Sequence, residues 1–371
     1  TNDFIHWENV TGKIAMVEPA SHGTIVKTSR STVDALIWEA HTKAERQQKL
    51  DERVAIEMPS QEPVKVTLAI DGTVGKPISD KLIGIFFEDI SYAADGGLYA
   101  ELIQNRGFEY NPADVAGRDS TWNQLYAWNV TGNATCEIDT VNPIHPNNPH
   151  YVILRTTKNG EATAWQAVSH QPILTKISST GSGPGIRDAL SNEGYDGITL
   201  KAGESYNFSM FARHTDGKKG KIAIRLIGAN EAILAEKIIP VNDNNWKKYN
   251  TILRVFQNAD SARLEISLLQ AGSIAMDMIS LFPQKTFKNR ANGLRADLAQ
   301  TIADLHPRFV RFPGGCVVHG DGLDNMYRWK NTNGPLEARK PQPNILRNQQ
   351  SMGLGHFEYF QFCEDLTLIY I

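Results

Sequence analysis

The sequence predicts a multidomain chain: a partial (β/α)8 barrel interrupted by an inserted antiparallel β-sandwich, with an N-terminal β tail and a linker helix ahead of it. Three observations carry that expectation. Lys81 to Phe87 is an apolar run, bounded by Asp80 and Asp89, that delivers Glu88 to the end of a buried strand. From about Ser120 to Phe282 the chain alternates in short strands separated by polar loops, the signal of a β-sandwich. At Asn289 the β/α character resumes, with a helical pattern over Gly293 to Leu305 leading through His306-Pro307 into Phe309-Val310-Arg311-Phe312.

The elements follow in order. Residues 1–36 carry short strand-like runs, Lys13 to Val17 and His22 to Thr28, punctuated by Pro19 and Gly23. Between Thr32 and Val54 the pattern is helical, with Val33, Leu36, Ile37, Ala40, Ala44 and Leu50 on a loose apolar stripe and Ser31 or Thr32 as cap. Residues 37–62 therefore read as a helical linker, closed by Glu57-Met58-Pro59-Ser60-Gln61-Glu62-Pro63. A new domain, 63–119, opens on the alternating strand Val64 to Ile70 and the turn Asp71-Gly72. The strand ending at Phe87, the glycines Gly96-Gly97 and a helical spacing through Leu98, Leu102 and Ile103 make one β/α unit. Residues 120–285 form the sandwich, exemplified by Tyr151 to Arg155, Tyr206 to Arg213, Lys221 to Leu226 and Ala262 to Leu268. Residues 286–371 continue the barrel, with a helix over His356 to Asp365.

Composition narrows the functional classes. A chain of 371 residues, 41% hydrophobic, supports two or three domains with their own cores. A net charge of -3 with scattered basic residues gives no electrostatic stripe for nucleic acid. No apolar run approaches the ~20 residues that span a membrane, and no signal peptide opens the chain. The 3 cysteines, Cys136, Cys316 and Cys363, lie far apart and suit buried small apolar residues better than a disulfide framework or zinc site.

Chemistry concentrates at two strand ends, Glu88 and Arg311, each flanked by glycines that let backbone approach a ligand. The runs Gly84-Ile-Phe-Phe-Glu-Asp-Ile-Ser-Tyr-Ala-Ala-Asp-Gly-Gly-Leu-Tyr99, continuing to Tyr110, and Arg311-Phe-Pro-Gly-Gly-Cys316 closely resemble glycoside hydrolase family 51, the α-L-arabinofuranosidases. The sandwich resembles a family 4/9-type carbohydrate-binding module ending in Asp277-Met-Ile-Ser-Leu-Phe282, so the resemblance extends from about Val64 to Asp365. Trp7-Glu-Asn-Val10 and Ser21-His-Gly-Thr-Ile-Val-Lys27 resemble the closing strand of the family 43 propeller, in which His22 matches a histidine near the propeller axis.

The resemblance implies roles residue by residue. Glu88 matches the strand-one glutamate that binds arabinofuranose hydroxyls, and Arg311 the arginine that supports the active-site carboxylates. Gly314 and Gly315 complete the substrate-binding set, while Cys316 stands where many members carry asparagine. Trp122, Trp128 and Trp165 are candidates for a sugar-stacking platform, core packing being the alternative. Asp277 is a candidate ligand for structural calcium, and no other cofactor is implied. A retaining glycosidase needs two carboxylates about 5 Å apart, which the family supplies from later barrel strands. No acid/base or nucleophile is assigned here: the chain reads as truncated, its barrel portion unstable unless completed, and inactive alone. The implied activity is release of terminal arabinofuranose from arabinan or arabinoxylan, in a parent that is extracellular or periplasmic. The alternative is a non-catalytic carbohydrate-binding protein acting through the sandwich. The partner is an arabinose-containing glycan in either case, and no oligomeric state follows.

Overall fold

The computed structural model describes residues 28–57, 66–69, 75, 77, 79, 81–111, 121–157 and 187–370. They belong to two units, Thr1–Lys76 and Pro77–Ile371. His22 and the rest of 1–27, the proline-rich stretch 58–65, and Trp165 lie outside the described residues.

The first unit contains helix α1 (Arg30–Glu57). Its cap is Ser29, whose Oγ accepts the Thr32 backbone N–H at 3.1 Å, two or three residues earlier than the sequence suggested. Spaced side-chain pairs such as Arg30 to Asp34, 2.9 Å, and Gln47 to Asp51, 2.8 Å, support its surface. The strand expected over Val64 to Ile70 is not seen in its described part, 66–69, where Val66 and Leu68 are exposed. An alternating strand needs a partner to pair with, and none is present among the described residues.

The second unit begins with strand β1 (Ile85–Phe86) and then builds an antiparallel assembly from eleven strands. These are β2 (Trp128–Thr131), β3 (Thr135–Asp139), β4 (Tyr151–Thr156), β5 (Ala189–Asn192), β6 (Ile198–Leu200) and β7 (Ser205–His214). Then come β8 (Gly220–Ile227), β9 (Ile233–Val241), β10 (Lys247–Arg254), β11 (Ala259–Leu268) and β12 (Gly272–Pro283). One sheet has five strands in the order β10-β7-β12-β4-β3; the other runs β2-β5-β11-β8-β9, with β6 pairing to β11. Period-two patterning explains the division: in β7, Tyr206, Phe208, Met210, Ala212 and His214 are buried while their neighbours are not. Tyr206, Phe208, Met210 and Ala212 share one core with Leu226, Leu264, Ile266 and Met276, where each fully buried large apolar side chain contributes about 1.5–3 kcal/mol.

Strand β12 departs from the pattern, being buried on both faces from Ser273 to Phe282. Its inner face supplies Ile274, Met276, Ile279 and Leu281 to the sandwich core. Across a register shift between Asp277 and Ser280, its outer face gives Phe282 to a second core with Leu98, Tyr99, Phe287, Leu294, Tyr359 and Phe362.

The segment covering that outer face is Leu98 to Arg106, and here the sequence expectation fails: it is not a helix but irregular chain. Its backbone bonds outward instead, Leu102 N–H to Leu281 O at 3.0 Å and Ala100 N–H to Gly293 O at 3.1 Å, while Arg106 O accepts from Ile279 N–H at 2.9 Å. Leu98, Tyr99, Ala100, Glu101 and Ile103 are all buried, so apolar residues point to two cores at once and no single helical stripe is satisfied. Within it Arg106 pairs with Glu101 at 3.2 Å, both buried, and Glu101 also accepts the Ile103 and Leu281 N–H groups.

After β12 come helix α2 (Ala296–Asp304), strand β13 (Phe309–Arg311), the short helix α3 (Cys316–His319), a ribbon of β14 (Gln342–Pro343) and β15 (Gln349–Gln350), helix α4 (His356–Asp365) and strand β16 (Ile369–Tyr370). Strands β1, β13 and β16 form a parallel sheet in the order β1-β13-β16. Ile85 aligns with Val310 and Phe86 with Arg311. The Phe87 and Phe312 rings both pack on Tyr359 of α4, at 5.7 and 4.2 Å between centroids, so the helix layer covers one face of this sheet.

Candidate functional site

Alternation along β1 and β13 decides which side chains reach the other face. With Phe87 and Phe312 committed to α4, Phe86, Glu88 and Arg311 point the opposite way. The Arg311 guanidinium lies 4.9 Å from the centre of the Phe86 ring, and both residues are exposed. Arg311 is thus held by a cation–π contact rather than by an ion pair to Glu88.

Glu88 is half-buried and anchors a turn far along the chain. Its Oε1 accepts the backbone N–H groups of Gly315 at 2.8 Å and Val317 at 2.9 Å. A carboxylate here satisfies two donors at the start of α3, while its second oxygen remains available to a ligand. The turn can come this close only because of glycine. Gly314 has φ +129°, and a Cβ on it would run into Cγ of Glu88. A Cβ on Gly315 would sit 3.8 Å from both Glu88 carboxylate oxygens and 3.7 Å from Cζ of Phe86. Glu88, Arg311, Gly314 and Gly315 are therefore one cluster at the ends of two neighbouring parallel strands. Cys316 follows directly and is exposed, unlike half-buried Cys136 and buried Cys363.

A second group, not singled out from the sequence, supports this cluster from below. Asp89 is buried, accepting the Ala94 N–H at 2.9 Å and the Gln350 Nε2 amide at 3.0 Å. Its carbonyl oxygen accepts Nδ2 of Asn344 at 3.0 Å and of Asn348 at 3.1 Å. Asp95 takes the Ser351 N–H at 2.7 Å and its hydroxyl at 2.8 Å. Burial, with Asp95 adding repulsion, pushes the Asp89 carboxyl up to about 7. The sequence signal was the Glu88-Asp89 pair itself; the asparagines and glutamine lie some 255 residues on, beyond the reach of spacing arguments.

The tryptophans correct the stacking expectation. Trp128 is buried in the sandwich core, its ring 5.1 Å from Phe108 and its Nε1 donating to Asn105 O at 2.9 Å. Trp122 is also buried, packed edge-on to Tyr110 at 6.0 Å. Neither ring presents a face to solvent, so neither is a sugar platform; both fill space where the irregular 98–110 segment meets the sandwich. Asp277 is fully buried; Oδ1 accepts the Met278 N–H at 2.6 Å, and Oδ2 has no protein partner. Burial pushes its carboxyl well above the usual range. Asn148 Oδ1 is likewise buried without a partner. A Cβ on Gly107 would lie 3.3 Å from Met278 Sδ, 3.4 Å from Asn148 Oδ1 and 3.8 Å from Asp277 Oδ1, so the two side-chain oxygens and a thioether line one spot; no cluster of three or more His, Cys, Asp or Glu side chains suited to a metal ion occurs among the described residues.

Comparison with known proteins agrees with this geometry. Residues 301–371 match the family model described as the alpha-L-arabinofuranosidase 1 domain. An extracellular exo-alpha-L-arabinofuranosidase of Streptomyces chartreusis is 35% identical over 304 residues, covering 79% of this chain and 32% of the relative. Alpha-L-arabinofuranosidase 1 of Arabidopsis thaliana is 33% identical over 306 residues, 81% of this chain and 41% of the relative. The structure of an arabinose-bound MgGH51 α-L-arabinofuranosidase superposes with a TM-score of 0.65 at 30% identity, covering 78% of this chain and 43% of that one. The chain therefore spans less than half the length of these relatives. With the Glu88 cluster and the parallel sheet in place, the matched part of the chain belongs to glycoside hydrolase family 51, the α-L-arabinofuranosidases.

Proposed function

We propose that this chain supplies the sugar-holding half of an α-L-arabinofuranosidase site, acting in hydrolysis of terminal α-L-arabinofuranosyl residues with retention of configuration. The observation that carries the reading is the Glu88 carboxylate, fixed by Gly315 and Val317 at the end of the first parallel strand. One oxygen is committed to the turn, and the other accepts a sugar hydroxyl. Arg311 sets a positive charge on the same face, where it supports the charged carboxylates of a completed site. Neither the acid/base nor the nucleophile role is assigned among the described residues. The partner is an arabinose-containing glycan, and the parent's compartment is extracellular or periplasmic, the first being what the Streptomyces relative's name states for that protein.

In the same reading the parallel sheet β1-β13-β16 is the start of a (β/α)8 barrel, and residues 120–285 are a sandwich inserted after its first unit. Helix α1, Arg30–Glu57, serves as the linker in this reading and begins ahead of the expected boundary at residue 37; the rest of the tail expected over 1–36 lies, up to residue 27, outside the described residues. A calcium ion suits the spot at Gly107. Asp277 Oδ2 and Asn148 Oδ1 are buried, unpartnered oxygens of the kind that ion takes, and it would neutralise a carboxylate that burial otherwise keeps protonated. Its role there is structural, bracing β12 against the 98–110 segment.

The test is substitution. Glu88→Ala, compared with the unaltered protein in titrations with L-arabinose and in hydrolysis of an aryl α-L-arabinofuranoside, is expected to weaken binding at least about tenfold. Wherever turnover is measurable, kcat/KM should fall by a factor of about 100 or more. Unchanged binding and kinetics would remove Glu88 from the site. Binding of arabinoxylan oligosaccharides that survives Glu88→Ala, without turnover, would select a carbohydrate-binding role for the sandwich instead.

A further inference from the structure

Between Glu88 and the body of the fold stands a carboxyl that the sugar-holding reading does not use. Asp89 is buried immediately behind Glu88, and every bond it makes reaches another segment or the far end of its own loop. Its side chain holds Ala94 N–H and Gln350 Nε2, and its carbonyl holds Asn344 and Asn348. Asn344, completely buried, in turn closes its own turn by accepting Leu346 N–H at 2.9 Å and Asn348 N–H at 3.1 Å. Four contacts thus fasten one residue to the β14–β15 ribbon and to the loop leading to Gly96. The adjacent residue, Glu88, is the one that holds the turn at Gly315 and Val317.

We propose that Asp89 is the positioning residue of this site: it ties the loop bearing Glu88 to the 342–351 ribbon and thereby fixes the carboxylate that cradles the Gly314–Val317 turn. That Glu88 then meets a sugar rests on the reading above; the tether itself does not.

The Gln350 carboxamide makes the tether usable in both protonation states. Its Nε2 donates to Asp89 Oδ2, while its Oε1 is buried with no partner. An amide places a donor and an acceptor at nearly equivalent positions. A half-turn of the carboxamide lets a protonated Asp89 donate to Oε1, so the pair stays bonded with the proton on or off. The groups that face Asp89 are Asp95 from its own loop, Tyr327 from the chain before Trp329, and Tyr359 from α4. Glu358 lies beyond Tyr359 and is neutralised by Arg339 through contacts of 2.8 and 2.9 Å. Neither side-chain partner of Asp89 is a cation. The fold therefore favours the protonated carboxyl, in keeping with its rise to about 7.

The sign follows. In a locally opened state Asp89 regains its ordinary value of 3.8. Between that value and about 7 the closed state holds a proton the open state lacks, so closure weakens as pH rises through this window and levels off above it.

Hydrogen exchange on the full chain, read in peptides covering 313–320 and corrected for intrinsic rates, tests the tether. In the unaltered protein protection of this turn is expected to fall at least tenfold between pH 5 and 7 and then to flatten, while β11 peptides stay constant. Asp89→Asn keeps an acceptor for Ala94 and gives a donor to Gln350 Oε1, so it should retain the protection with no pH step. Asp89→Ala should lose it at least tenfold at pH 5. A flat profile in the unaltered protein, or a step that persists in Asp89→Asn, would overturn the proposal even if Asp89→Ala fails to fold. Titration with L-arabinose on the same samples separates the two claims: absence of binding with the exchange pattern intact overturns the sugar reading alone.

Discussion

The sandwich and the parallel sheet solve opposite problems. The sandwich closes a core between two antiparallel sheets, with strands of up to 12 residues, alternation that buries one side of β7, and a central β12 buried on both. The parallel sheet has strands of 2 and 3 residues, a helix layer on one face, and on the other Phe86 at 50% exposure beside Arg311. The large shared core lies in the first region, and the proposed recognition face in the second. What joins them is a segment with no regular structure, 98–110, whose backbone and whose Glu101 and Asn105 side chains bond to its neighbours. The site's precision therefore depends on side-chain bonds made by Glu88, Asp89 and Glu101 more than on the ladders of the sheet that carries it.

Three measurements would break or sharpen that contrast. The largest effect is expected at the seam. Glu101→Ala leaves Arg106 buried and uncompensated, and strips the acceptor from Ile103 and Leu281 N–H, so chemical denaturation should show a loss of about 3–5 kcal/mol. A loss below about 1 kcal/mol would mean that the seam is not what couples the two regions. Next, Leu264→Ala in the sandwich core, at 0% exposure, should cost about 2–5 kcal/mol. Phe86→Ala on the open face should cost less than about 1 kcal/mol, and equal costs would contradict the division drawn here. The smallest effect is calcium. Adding the ion to metal-stripped protein should raise Tm by a few degrees, and Asp277→Asn should abolish the shift; no shift in the unaltered protein would remove the metal from the Gly107 spot.

Regular elements were legible in the sequence because their periodicity is local. The four strands quoted from the sandwich, the helix over His356 to Asp365 and the strand at Phe309 all stand where their patterns put them. Leu98 to Arg106 was not legible, because Leu98, Leu102 and Ile103 mimic a helical stripe while serving two cores. The tryptophans misled for a related reason: a large aromatic is equally good as a platform or as filler, and only the surroundings of Trp122 and Trp128 decide. At the site, the motifs gave Glu88, Arg311 and the glycines, whose conjunction the structure shows. The Asp89 partners were hidden because a buried asparagine or glutamine carries no periodic signal, and its role is set by what lies opposite it in space.

The bond from Glu88 to Gly315 closes a loop of 227 residues, and this bears on the order in which the molecule forms. A flexible loop of that length would be entropically costly to close and slow to find its ends. The folded sandwich shortens the search. Its exit strand returns to its entry segment through Leu102 N–H to Leu281 O, so once it has formed, only the residues flanking it still have to meet. The sandwich then serves assembly as a clasp, and destabilising it should delay appearance of the Glu88 turn in refolding even where the sandwich never touches a ligand.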